Sequence, residues 1–177
     1  GRMLIYRSYA GRNYRFRAAE ALQVAEQAVE ADPNNARAQA LLCFALLENG
    51  RPEEAIAAGL RAEQLAPDYA EARAYLSMAY RGAGRPNQAF QKGDEAVQLD
   101  ESSLDARRAL ALGLAFVGEF DAAIQQYERA IQIHPRFDAL YFELAVYYKA
   151  QDNYEAAIAA YDQVLAMEPD NVKAYTR

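Results

Sequence analysis

The chain has 177 residues, a net charge of −6 and a hydrophobic fraction of 53%, enough apolar material for one packed domain or one array of repeats. A single cysteine, Cys43, excludes an internal disulfide, and with a single histidine, His134, the chain lacks the Cys/His set of a structural zinc site, so neither a metal nor a cofactor is expected. Bulk acidity argues against nucleic acid as the main ligand, and no apolar run approaches the ~20 residues a membrane helix needs.

Residues 1–17 read as a basic arm. Arg2, Arg7, Arg12, Arg15 and Arg17 alternate there with Tyr6, Tyr9, Tyr14 and Phe16, and no acid interrupts them. Such an arm can stack on bases or contact anionic lipid. A helix cap, an arm docked on the acidic body and the basic edge of a removed membrane anchor are the other readings, with a cap or docked arm favoured. The N-terminal residues lack the apolar core of a secretion signal. The compartment stays unassigned, with the cytoplasm slightly favoured.

From Pro33 onward the chain repeats itself. Pro33, Pro67, Pro135 and Pro169 fall on a 34-residue ruler whose one missing mark, position 101, is Glu101. Leu42, Leu76, Leu110 and Leu144 recur on the same ruler, as do the small residues Cys43, Ser77, Ala111 and Ala145. Ala55, Ala89, Ala123 and Ala157 follow in each unit, then Leu65, Leu99, Ile133 and Met167. Each unit reads as two helices. In the last, Leu140, Leu144, Tyr147 and Tyr148 make one helical apolar stripe, and Ala157, Ile158, Tyr161 and Leu165 another. Gly50, Gly84 and Gly118 stand between paired helices, where a left-handed residue ends the first one cheaply, and Asp152 takes that place in the last unit. Pro52 and Pro86 then open second helices, where a missing N–H is no loss.

These columns resemble the tetratricopeptide repeat (TPR) pattern over about three quarters of the chain. The resemblance implies an all-α fold, a right-handed superhelical solenoid of helix-turn-helix units at 36–69, 70–103, 104–137 and 138–171. Residues 18–35 resemble the second helix of a degenerate earlier unit, and 172–177 the start of a further one or a C-terminal stub. Gly59 and Gly93 depart from the pattern, standing where Tyr127 and Tyr161 supply an aromatic. Looser packing in the first pair of units, and a different local curvature, are therefore expected.

The resemblance also implies a function: a non-catalytic protein–protein interaction scaffold whose first helices line a concave groove for a partner's peptide or helix. The family's groove positions are second, fifth, ninth and twelfth in each unit. The ninth are Phe44, Met78, Leu112 and Val146, the expected apolar anchors; Phe142 and Leu47 join them from the fifth and twelfth. Arg37, Arg81, Arg108 and Lys149 edge this ladder, so the expected partner offers apolar anchors with some acidic character. Packing against neighbouring first helices is the other reading of the ninth column. Four apolar contacts at ~2 kcal/mol each, set against an association cost of at least ~4 kcal/mol, leave a short apolar peptide near millimolar affinity without help from charge. The family's carboxylate clamp for chaperone C-termini is absent, since Ala40, Phe44 and Met78 replace its Lys and Asn residues.

Self-assembly is the alternative function, through an edge at Ile158, Tyr161 and Leu165 on the second helix of the last unit, giving a homo-oligomer by stacking or a two-fold contact. His134 reads as a turn residue and Cys43 as a packing residue. No base, nucleophile and metal constellation suggests an enzyme.

Overall fold

The computed structural model describes residues 12–167, with side chains from Ala18 onward. The basic arm before Arg12, the side chains of 12–17, Pro169 and the expected further unit at 172–177 lie outside the described residues. Nine α-helices run in order through the described residues: α1 (Arg12–Ala31), α2 (Ala36–Glu48), α3 (Pro52–Leu65), α4 (Ala70–Gly82), α5 (Pro86–Leu99), α6 (Leu104–Val117), α7 (Phe120–Ile133), α8 (Asp138–Ala150) and α9 (Tyr154–Met167). The N-terminal helix begins at Arg12, earlier than the 18–35 segment suggested.

Local chemistry sets the boundaries. Asn35 and Ser103 cap α2 and α6 by accepting from the Ala38 and Ala106 backbone N–H groups at 3.0 and 3.2 Å, which satisfies donors the first turn leaves orphaned. Pro52 and Pro86 occupy first positions of α3 and α5. The three inter-helix glycines have φ between +74° and +93°, and Asp152 adopts the same left-handed conformation at +59°. Its carboxylate accepts from the Tyr154 hydroxyl at 2.7 Å, which helps hold a residue that is not glycine there.

Paired helices pack α2 on α3, α4 on α5, α6 on α7 and α8 on α9, and each pair stacks on the next to form an all-α helical-repeat solenoid. Asn49 ties the start of the stack to α1 by donating its amide to the Ala18 carbonyl at 2.8 Å. The small column lets helices of a pair approach: the Ser77 hydroxyl reaches the Ala89 carbonyl at 2.6 Å, and Cys43 and Ala111 are fully buried.

The expectation of looser packing around Gly59 and Gly93 is overturned. A Cβ on Gly93 would lie 2.8 Å from the Leu110 Cα, and one on Gly113 would lie 3.0 Å from the Phe90 Cα. Backbone therefore meets backbone between α5 and α6. Around Gly59 the neighbours are the Leu76 side chain at 3.0 Å and the Cys43 sulfur at 3.1 Å. The missing aromatic is a condition of close approach, not a void.

In the second half an aromatic fills the gap instead. Tyr127 is fully buried and stacks on Tyr147 with ring centroids 5.4 Å apart. The first helices α2, α4 and α6 touch one another in sequence, whereas α6 and α8 make no comparable contact.

Candidate functional site

The inner face of the solenoid is built from the first helix of each unit, and its ladder residues lie at very different depths. Met78 and Leu47 are each 4% exposed and belong to the main core cluster. These two are packing residues, because close approach of α2, α4 and α6 shuts the face over them. Phe44 and Leu112 are half-buried against the same cluster, and Phe44 packs on Tyr75 with centroids 5.1 Å apart. Val146 on α8 is 43% exposed, beyond the point where α6 and α8 separate. Phe116 joins this face from outside the four expected columns. It follows Leu112 by one helical turn, on the same face of α6, and is 42% exposed.

The cations differ as much. Arg108 is not a free charge guide: its Nε donates to both carboxylate oxygens of Glu143, at 3.0 and 2.9 Å, and its Nη2 joins them. Glu143 is buried on α8, so the pair bridges the gap between α6 and α8 with both charges compensated. Glu143 falls outside the groove columns; its signal in the sequence is an acid in a column otherwise held by Leu41, Tyr75 and Ala109. Arg81 is half-buried, and its Nε is shielded from solvent without a hydrogen-bond partner among the described residues. Burial pushes the Tyr147 hydroxyl pKa up and Glu143 adds to this, while Arg81 and Arg108 oppose it, which sets all four groups in one neighbourhood. Lys149 and Arg37 are exposed. Arg37 lies beside Tyr69, whose pKa burial raises and the guanidinium partly lowers.

Phe142 points away from the groove mouth and packs edge-on against Tyr161, centroids 5.6 Å apart. Tyr161 is buried in the same cluster rather than part of an outer edge. Ile158 remains exposed and Leu165 is half-buried. Cys43 is buried, and its thiol pKa is pushed up to about 12 by that burial. His134 closes α7, with Nε2 3.3 Å from the Ser102 carbonyl. Among the described residues no group of three or more His, Cys, Asp or Glu could hold a metal ion, and no helix is long and apolar enough to cross a membrane.

Residues 15–74 and 117–177 match the tetratricopeptide repeat family. The chain belongs to that family. Among solved structures it is similar to TTC0263, a thermophilic TPR protein of Thermus thermophilus, with 23% identity, a TM-score of 0.82, and coverage of 91% of this chain and 88% of that one. It is also similar to MamA, with 26% identity, a TM-score of 0.65 and coverage of 93% and 97%. A third is YrrB, a TPR protein with an unusual peptide-binding site, with 22% identity, a TM-score of 0.65 and coverage of 90% and 82%. None of the curated proteins compared with the chain matches it. Family and neighbours fit a protein-interaction scaffold.

Proposed function

We propose that the inner face of α6 and α8, with Arg81 of α4 at its margin, binds a peptide or helical segment of a protein partner, without catalysing a reaction. The units 36–69 and 70–103 then act mainly as a rigid support, and 104–137 and 138–171 present the contact surface. The observation that carries this reading is the exposure of Phe116 and Val146, beside half-buried Leu112, on a face that also holds exposed Lys149 and the half-buried guanidinium of Arg81. Exposed apolar side chains next to cationic groups suit a ligand with apolar anchors and a carboxylate.

The magnitudes have changed with the geometry. With Met78 and Leu47 in the core, fewer apolar groups are left to bury, and about 2 kcal/mol for each barely covers an association cost of at least ~4 kcal/mol. Charge pairing to Arg81 and Lys149 must supply the remainder. The test is selection of binding peptides from a random library on the wild-type protein, followed by titration of Phe116→Glu/Val146→Glu. Both sites are surface positions, so helicity and unfolding midpoint should hold while affinity falls by at least about tenfold. Peptides that bind wild type and variant equally would remove the groove from the account.

A second reading, self-association through α9, has its own support. Ile158 is 44% exposed, against 5% and 8% for Ile56 and Ile124 in the same column, although Phe90, the remaining member, is itself 38% exposed. Sedimentation across a dilution series tests it; a monomer at every concentration would leave only the peptide reading.

A further inference from the structure

The outer face of the solenoid carries a charge that its own repeat logic leaves uncompensated. Between α3 and α5, over α4, Arg73 and Lys92 meet Glu63 and Glu95. The Arg73 Nε lies 2.9 Å from Glu63 and 3.4 Å from Glu95, and the Lys92 Nζ lies 2.7 and 2.8 Å from the same two carboxylates. Two cations and two anions compensate one another there. Moving along the 34-residue ruler, the same four places are Arg107 on α6, Gln126 and Arg129 on α7, and Val97 on α5. The guanidinium is retained; one carboxylate has become valine and the other a second arginine.

Arg107 is only 7% exposed. Its Nη1 donates to the Gln126 side-chain oxygen at 3.1 Å, and its Nε is buried with no partner among the described residues. Arginine cannot shed its proton to escape burial, and a buried charge without a counter-ion is costly. Asp100 is close enough for Arg107 to help lower its carboxyl pKa, though hydrogen bonds from Ser102 do most of this. That carboxylate accepts from the Ser102 backbone N–H at 2.8 Å and hydroxyl at 2.7 Å, and it makes no ion pair with Arg107. With its oxygen turned to Arg107, the Gln126 amide leaves its N–H donors unused among the described residues. Arg129 stands exposed one helical turn further on α7.

We propose that the place over Arg107 on the convex face, where the register brings Val97 of α5 and Gln126 and Arg129 of α7, is a carboxylate-binding site filled from outside the chain. The ligand takes the place that Glu63 and Glu95 hold one unit earlier. One oxygen accepts from the Arg107 guanidinium, the other from the Gln126 amide, and Arg129 supplies the second positive charge at the rim. A small dicarboxylic acid and an acidic side chain of a bound protein offer the same chemistry.

The test follows the arginine Nε–Hε signals of the full chain by NMR, with the Arg107 signal assigned from its loss in Arg107→Gln. Succinate, a tetraglutamate peptide, phosphate and chloride are titrated at constant ionic strength. Succinate and the peptide are expected to shift the Arg107 signal saturably, and chloride is not. Tighter binding of the peptide by about tenfold or more, measured per molecule, assigns the site to a protein segment, and similar affinities assign it to a free acid; either supports the site. A second variant, Val97→Glu/Arg129→Glu, rebuilds the internal counter-ions, and its Arg107 signal should start near the bound position and ignore both probes. It adds partners rather than removing one, and if Arg107→Gln fails to fold, the Arg107 signal is assigned from Arg107→Lys, which keeps the charge. No shift with succinate or the peptide, a shift matched by chloride or phosphate, or an equal response in the rebuilt variant would overturn the proposal.

Discussion

Gly59 and Gly93 stand at the place that Tyr127 and Tyr161 hold 68 residues later. The two halves of the molecule solve the same packing problem in opposite ways. In the first, the absent side chain lets α5 lie against α6 so closely that the Gly93 position has backbone within 3 Å of where a Cβ would be. In the second, Tyr127 fills the space and rests on Tyr147. The opposite face differs between the halves as well. Where first helices crowd together, Met78 and Leu47 are closed into the core; where Tyr127 and Tyr147 fill the space, Val146 stays in contact with water. One column of side chains thus holds a sealed position at Met78, where first helices lie on both sides, half-buried ones at Phe44 and Leu112, and an open one at Val146.

The strongest way to break this comparison is Tyr127→Ala. The ring is fully buried and nothing nearby can move in without a helix shift, so truncation should cost about 3–5 kcal/mol, read from urea unfolding followed by circular dichroism. A loss below about 1 kcal/mol would mean that α8 collapses readily onto α6, and that the tyrosine is not what keeps them apart.

The glycines test the other half with a smaller effect, and they should not behave alike. An alanine gains about 1 kcal/mol of helix propensity over glycine at either site. At Gly93 that gain meets Leu110 backbone atoms at 2.8 and 2.9 Å, which can yield only if the helices separate. Gly93→Ala is therefore expected to lose about 1–3 kcal/mol net, and to split unfolding into two steps as the halves uncouple. At Gly59 all three near neighbours are side-chain atoms, the Leu76 Cδ1 at 3.0 Å, the Cys43 sulfur at 3.1 Å and the Leu76 Cβ at 3.2 Å, which must give by only a few tenths of an ångström. Gly59→Ala should stay within about 1 kcal/mol of wild type. Equal losses at the two positions would show that propensity and contact distance do not separate them.

The repeat period, the helix pairs and their turns were legible because prolines, left-handed residues and apolar stripes are local signals, each with its own chemistry. The columns also pointed to Phe44, Met78, Leu112 and Val146 as one stripe along the first helices, because a helical period names a stripe. Depth was not legible. Met78 and Val146 share a column and differ about tenfold in exposure, because depth depends on which first helices lie alongside: α4 has α2 and α6 against it, whereas α8 makes no comparable contact with α6. Arg108 reads as a free cation when its own column is considered alone; its partner, Glu143, lies 35 residues away in a neighbouring column. Arg107 shows the converse case. Its place in the register predicts an ion-pair network that the substitutions at Val97 and Arg129 have removed.

An effect confined to alkaline pH belongs to Cys43, which faces Gly59 and whose thiol pKa burial raises to about 12 from an ordinary 9.0, against a weaker pull from the Gly59 backbone. The native state thus holds the thiol proton more tightly than the unfolded chain does. Its contribution to stability is whole below about pH 9 and is lost as pH rises toward 12. Tyr75 and Tyr148 have hydroxyls raised in the same direction, so they add to the alkaline loss. Comparison with Cys43→Ala isolates the thiol: between pH 9 and 11 the urea midpoint of wild type should fall further than that of the variant. Near neutral pH the buried thiol should react with a disulfide reagent only when α2 and α3 open, so its rate reports the first half alone. Gly93→Ala should speed that reaction more than Tyr127→Ala does, although Tyr127→Ala costs more stability overall. If instead the rate followed total stability in both variants, the solenoid would open as a single body, and the contrast between its halves would be one of geometry without independent unfolding.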